Sequence, residues 1–204
     1  FALTGCGVAT TTSVKISSAT KASCTVSIGF DDEMIESMAR LSNTTKQAII
    51  KDAKKSGLKY SKKRINGTIY HMFISTIKNS SFKDIEDNLN STSGFSNVCI
   101  SKNYFFATFN PSALTVSKSG LSDEAMDLSS FYLNMKITFK SKVNFTNGTV
   151  SKDGKTVSWI IKDADKATRL CASTTKVNKT ARSKSVVNGK TYKPGKKLTV
   201  SNPK

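Results

Sequence analysis

Residues 24–41 read Cys24-Thr25-Val26-Ser27-Ile28-Gly29-Phe30-Asp31-Asp32-Glu33-Met34-Ile35-Glu36-Ser37-Met38-Ala39-Arg40-Leu41. Up to Phe30 the apolar residues fall at every second position, the period of a strand with one buried face. At Asp31 the period changes. Met34, Ile35, Met38 and Leu41 follow at helical spacing. Asp31 suits an N-cap, because its carboxylate can accept from the unpaired N–H groups of a first helical turn, and Asp32 and Glu33 suit the positive end of the helix dipole. Three acids in a row also invite a catalytic or metal reading; capping explains them more simply. A strand that runs directly into a helix predicts an α+β chain.

Downstream, Thr44 and Gln47 form a capping-box pattern for a second helix, which Ala48, Ile49 and Ala53 would pack and Gly57 would stop. Two helices on a short connection are expected to lie antiparallel on one side of a sheet. Strands resume at Leu58 and Tyr60, turn at Asn66-Gly67, and run from Thr68 to Lys78. This long stretch has Ile69, Phe73 and Ile77 on one face and Tyr70, Met72 and Ile74 on the other, which predicts a central strand covered on both sides. His71, the sole histidine, falls on the Phe73 face. With no partner identifiable it reads as a packed side chain rather than a catalytic one.

Ser81 and Asp84 open a third helix, with Phe82, Ile85 and Leu89 on one face. Residues 95–109 return to β and include the aromatic group Tyr104, Phe105, Phe106 and Phe109. Pro111 to Ser130 reads as a long loop, of a kind that often covers a pocket. From Phe131 to Lys140 the alternation is the clearest in the chain, with Phe131, Leu133, Met135, Ile137 and Phe139 on one face. Asn147-Gly148 and Asp153-Gly154 predict two tight turns. Val157, Trp159 and Ile161 mark the next strand, and Leu170 and Ala172 a closing one.

Upstream, Val14 and Ile16 alternate with polar neighbours, and Ser17–Thr20 would turn that strand into the one containing Cys24. At the start stands Leu3-Thr4-Gly5-Cys6, the pattern at which bacterial lipoprotein signal peptides are acylated and cut. The chemistry needs these residue types: a thiol to take the acyl group, and small residues where the peptidase cleaves. Residues 1–6 are therefore expected to be the end of a signal peptide with Cys6 as the lipidation site, and an acyl anchor needs no membrane-spanning helix.

Lysine and arginine number 32 against 14 acids, a formal charge of +18. Only Arg40, Arg64, Arg169 and Arg182 are arginines, and bidentate phosphate and guanine contacts favour arginine, so nucleic acid is not an expected partner. A solvated basic surface and attraction to anionic lipid or wall polymers both fit the charge. Residues 173–204 hold nine basic residues and no acid, and read as a basic tail outside the core. Of four cysteines, Cys24 reads as core; with Cys6 acylated, Cys24, Cys99 and Cys171 cannot all pair. No pair has metal-ligand spacing, and neither metal nor cofactor is expected. Seven Asn-x-Ser/Thr sites follow from a composition rich in asparagine, serine and threonine.

Several of these patterns together resemble the LppM-type domain of bacterial lipoproteins. They are the lipobox ending in Cys6, Ile28-Gly29-Phe30-Asp31, Gly67 before the long strand, Ser81-Phe82, and Asn147-Gly148 followed by Asp153-Gly154-Lys155-Thr156-Val157-Ser158-Trp159. The resemblance covers roughly Gly5 to Ala172, with the folded domain expected over residues 7–172. It departs at Lys140-Ser141, where relatives carry proline-glycine. From Val187-Asn188-Gly189-Lys190-Thr191-Tyr192 to Val200 the tail is similar to the opening of a bacterial surface Ig-like repeat. The first resemblance implies an extracytoplasmic, membrane-anchored domain in which a curved antiparallel sheet is gripped by a helix pair and a third helix, as in lipid-carrier folds. It implies no catalytic residues.

The expected function is to bind an apolar or amphiphilic, lipid-like ligand between sheet and helices. Candidate lining residues are Tyr70, Met72, Ile74, Tyr104, Phe106 and Met135, aromatic and thioether side chains suited to a plastic cavity. The same residues would also serve an ordinary packed core. The alternative function is a non-catalytic surface or spacer module whose basic tail binds anionic wall polymers or lipid headgroups. An enzyme is not expected, because no nucleophile–base pair or facing carboxylates can be identified.

Overall fold

The change of period at Asp31 is a real boundary: strand β2 (Lys21–Asp31) passes into helix α1 (Asp32–Leu41) without a loop. Asp31 caps the helix, one carboxylate oxygen accepting from the Met34 N–H at 2.8 Å and the other from the Gly7 N–H. The structure, a computed structural model, describes residues 7–92, 94–111, 131–162, 166–175, 185–187 and 190–192. Cys6, most of the 111–130 loop and most of the basic tail lie outside them.

Strand β1 (Val8–Ile16) forms the expected hairpin with β2. Helix α2 (Lys46–Lys55) is capped by Thr45, one residue later than the capping-box pattern suggested, its hydroxyl accepting from Ala48 N–H. Strands β3 (Lys59–Ile65) and β4 (Thr68–Ser81) pair through Asn66-Gly67, both at positive φ as a tight hairpin of this length requires. Helix α3 (Phe82–Thr92) opens with a reciprocal box. The Ser81 hydroxyl accepts from the Asp84 N–H, and the Asp84 carboxylate accepts from the Ser81 N–H. Then come β5 (Phe95–Ile100), β6 (Tyr104–Phe109), β7 (Tyr132–Thr138), β8 (Phe145–Thr146), β9 (Thr149–Val150), β10 (Thr156–Ile161) and β11 (Thr168–Ser173). In the tail, β12 (Ser185–Val187) pairs antiparallel with β13 (Lys190–Tyr192).

The fold is α+β, and its strands divide into two main sheets where one curved sheet was expected. A seven-stranded sheet runs β3-β4-β2-β1-β7-β10-β9, and a four-stranded sheet β5-β6-β11-β8. The long sheet is mixed, because β7 lies parallel to β1, Thr12 beside Met135; the other ladders among the described residues are antiparallel. The expectation of an antiparallel sheet throughout fails at that pair. Alternation specifies which side chains share a face, not the direction of the neighbouring strand.

The two sheets pack face to face over the main core. Leu133, Met135, Ile137, Val157 and Trp159 of the long sheet meet Phe105, Ala107, Phe109 and Leu170 of the short one, with Ile85 and Leu89 of α3 closing the side. Asn147-Gly148, expected to be a hairpin turn, instead carries the chain from one sheet to the other: β8 pairs with β11 and β9 with β10. Gly148 is needed there for close approach, since a Cβ would fall 2.6 Å from both Val157 Cγ1 and Trp159 Nε1. At the other half of the long sheet the same face is covered by α1 and α2. No described helix is long and apolar enough to cross a membrane.

Candidate functional site

The helix pair does not close on the sheet. Between them lies a groove of about 400 Å³, lined by Val26, Ile28 and Phe30 of β2, Phe73 and Ser75 of β4, Met38 of α1, Ile49 and Ala53 of α2, Leu58, and Asn88 of α3. Each of the eight apolar lining residues is only half-buried, whereas the side chains of the main core are almost wholly enclosed. Helix α2 has no fully buried residue. Its apolar stripe faces the groove instead of interlocking with the strands, which leaves the dispersion contacts of that stripe unmade.

At one end the pair is fastened by a polar cluster around His71, which is 1 % exposed. Its Nδ1 lies 2.7 Å from the Tyr60 hydroxyl, and its Nε2 2.8 Å from Asp32 Oδ1. A neutral imidazole satisfies both by accepting from the phenol and donating to the carboxylate. Lys46 at the start of α2 donates to Asp32 at 2.7 Å and to Glu36 at 3.1 Å. The hydrogen bond from Lys46, and then that from His71, hold the Asp32 carboxyl down to about 2. The partners of His71 therefore come from β3 and α1, and the single cluster joins both helices to the sheet. Since both ring nitrogens are engaged and the ring is buried, the arrangement fits fastening better than proton transfer to a guest.

The sequence-based candidates fall elsewhere, and none of the six lines this groove. Tyr70 and Met72, with half-buried Ile74, project from the opposite face of β4, clustering with Ala9 and Ile65. Met72 packs over Gly29, its sulfur occupying the space a Cβ would need. Met135 is fully buried between the two sheets beside Trp159. Tyr104 and Phe106 alternate with the inward Phe105, Ala107 and Phe109, so they face outward from the short sheet. Tyr104 is 41 % exposed, its hydroxyl 3.3 Å from Cys99 Sγ. The residues that do line the groove were visible as the apolar stripes of β2, α1 and α2. Sequence periodicity shows that a stripe is buried but not whether anything fills the space above it.

Among the described residues no group of three or more histidine, cysteine or acidic side chains could hold a metal ion. Cys24, Cys99 and Cys171 are free thiols.

No family model and no curated protein matches the chain. The chain is similar to a solved structure, the NMR structure of the folded domain of Mycobacterium tuberculosis LppM. The two are 13 % identical with a TM-score of 0.46, over 81 % of this chain and 87 % of that one.

Proposed function

We propose that this chain is a non-catalytic binding domain that holds an apolar or amphiphilic, lipid-like molecule in the groove between β2–β4 and the helix pair. One observation carries the reading: a space of about 400 Å³ whose apolar lining is half-buried along its whole length. Small-molecule sites typically occupy about 300–1,000 Å³ and are mostly apolar with a few polar groups. The motif Leu3-Thr4-Gly5-Cys6 supports placing the domain outside the cytoplasm, anchored through an acylated Cys6.

The test is uptake of a neutral apolar fluorophore, N-phenyl-1-naphthylamine, together with native mass spectrometry for co-purified lipid. Ala53 sits on α2 over the groove, so Ala53→Trp should fill the space and reduce uptake at least about ten-fold, with far-UV circular dichroism unchanged. A parent protein that takes up no probe and carries no lipid, or a variant with undiminished uptake, rules the reading out.

A further inference from the structure

Charge is not evenly spread over the folded body. Residues 46–64, which form α2 and β3, hold eight basic side chains against Asp52 alone, a net of +7. Neighbouring α1 carries Asp32, Glu33 and Glu36. Most of this basic charge is unspent. Lys46 is engaged with Asp32 and Glu36, Lys55 lies 3.5 Å from Asp52, and Lys54 sits over the Tyr60 ring. Lys51, Lys59, Lys62 and Lys63 are exposed and form no ion pair among the described residues.

Strand β3 is an outer strand of the long sheet. The pleat sends Lys59 and Lys63 to one face and Lys62 and Arg64 to the other, so the edge is basic on both sides. Lysine on an outer strand also discourages edge-to-edge pairing, but that purpose does not call for Lys51, Lys54 and Lys55 on the adjoining helix. Helix α2 supplies Ile49 and Ala53, and Leu58 just before β3 joins them, as one wall of the groove.

We propose that the α2–β3 wall is a docking surface for an anionic lipid bilayer, which it meets beside the open groove. The complementarity is electrostatic: unpaired lysines form a strip against a surface of diffuse negative charge, a role that needs point charges rather than bidentate geometry. The surface belongs to the folded body and is separate from the basic tail. It does not depend on what the groove holds, so vesicle binding and probe uptake fail independently.

The test uses the 204-residue chain translated in vitro, so that no acyl group is attached. It is sedimented with vesicles of phosphatidylcholine alone or mixed with phosphatidylglycerol. At about five-fold per lysine, the triple variant Lys59→Gln/Lys62→Gln/Lys63→Gln should lose on the order of a hundred-fold in partitioning to the anionic vesicles. A matched triple, Lys140→Gln/Lys142→Gln/Lys152→Gln, removes the same charge from exposed positions near the opposite edge and should retain most of the binding. Binding should vanish near 1 M salt, where the Debye length is about 3 Å. The proposal is overturned if the parent ignores anionic vesicles, if the two triples lose binding equally, if neither loses any, or if binding survives high salt.

Discussion

The side-chain amide of Asn147 ties the two sheets together. Its oxygen accepts from the Trp159 indole N–H at 2.9 Å and from the Cys171 N–H at 3.0 Å, while its nitrogen donates to the Arg169 carbonyl at 2.7 Å. Trp159 belongs to the long sheet, Arg169 and Cys171 to the short one. Each such bond contributes about 1 kcal/mol net, and Asn147 itself is exposed, so Asn147→Ala should destabilise the protein by about 2 kcal/mol. Urea denaturation followed through the single tryptophan reads this directly, and a loss below about 0.5 kcal/mol would show that water replaces the amide. The dipeptide Asn147-Gly148 was legible as a special position. Its use was not, because the Gly148 φ is not positive; Trp159 and Val157 crowd it from elsewhere in the chain.

At the scale of elements, the caps were the most legible features, because a helix start is a local event within four residues. Asp31 and Ser81 cap as expected, and Thr45 replaces Thr44 by one step. The Asp32–His71 contact spans 39 residues and could not be read locally. It has a consequence for pH. The Asp32 carboxyl is lowered from 3.8 to about 2 by Lys46 and His71, so it stabilises the folded state above its ordinary value and ceases to do so as pH falls toward 2. The difference in Tm between the parent and Asp32→Asn should therefore be largest near neutral pH and shrink between pH 4 and 2. A difference constant over that window would mean that the helix pair does not depend on the charged form.

For the whole molecule, the divided core sets what is rigid. Cys24 lies in the main core, and burial pushes its thiol up to about 12. Burial also raises the Cys171 thiol, and Cys171 and Cys99 are both half-buried. In a Cys6→Ser background, iodoacetamide should modify the half-buried Cys99 and Cys171 first, and Cys24 only at the rate of global unfolding. Mass-resolved labelling checks the order; fast native modification of Cys24 would mean that this core opens locally. Local pattern alone determined the α+β class, the strand-to-helix passage at Asp31, the third helix, the Asn66-Gly67 hairpin and the burial of Cys24, because periodicity, caps and turns act over a few neighbouring residues. Only the tertiary structure decided that β7 runs parallel to β1, that the strands form two sheets, and that the helices take the Phe73 face of β4 and leave Tyr70, Met72 and Ile74 on the other. A pleated strand apolar on both faces has no local reason to prefer one cover, and that choice places the groove.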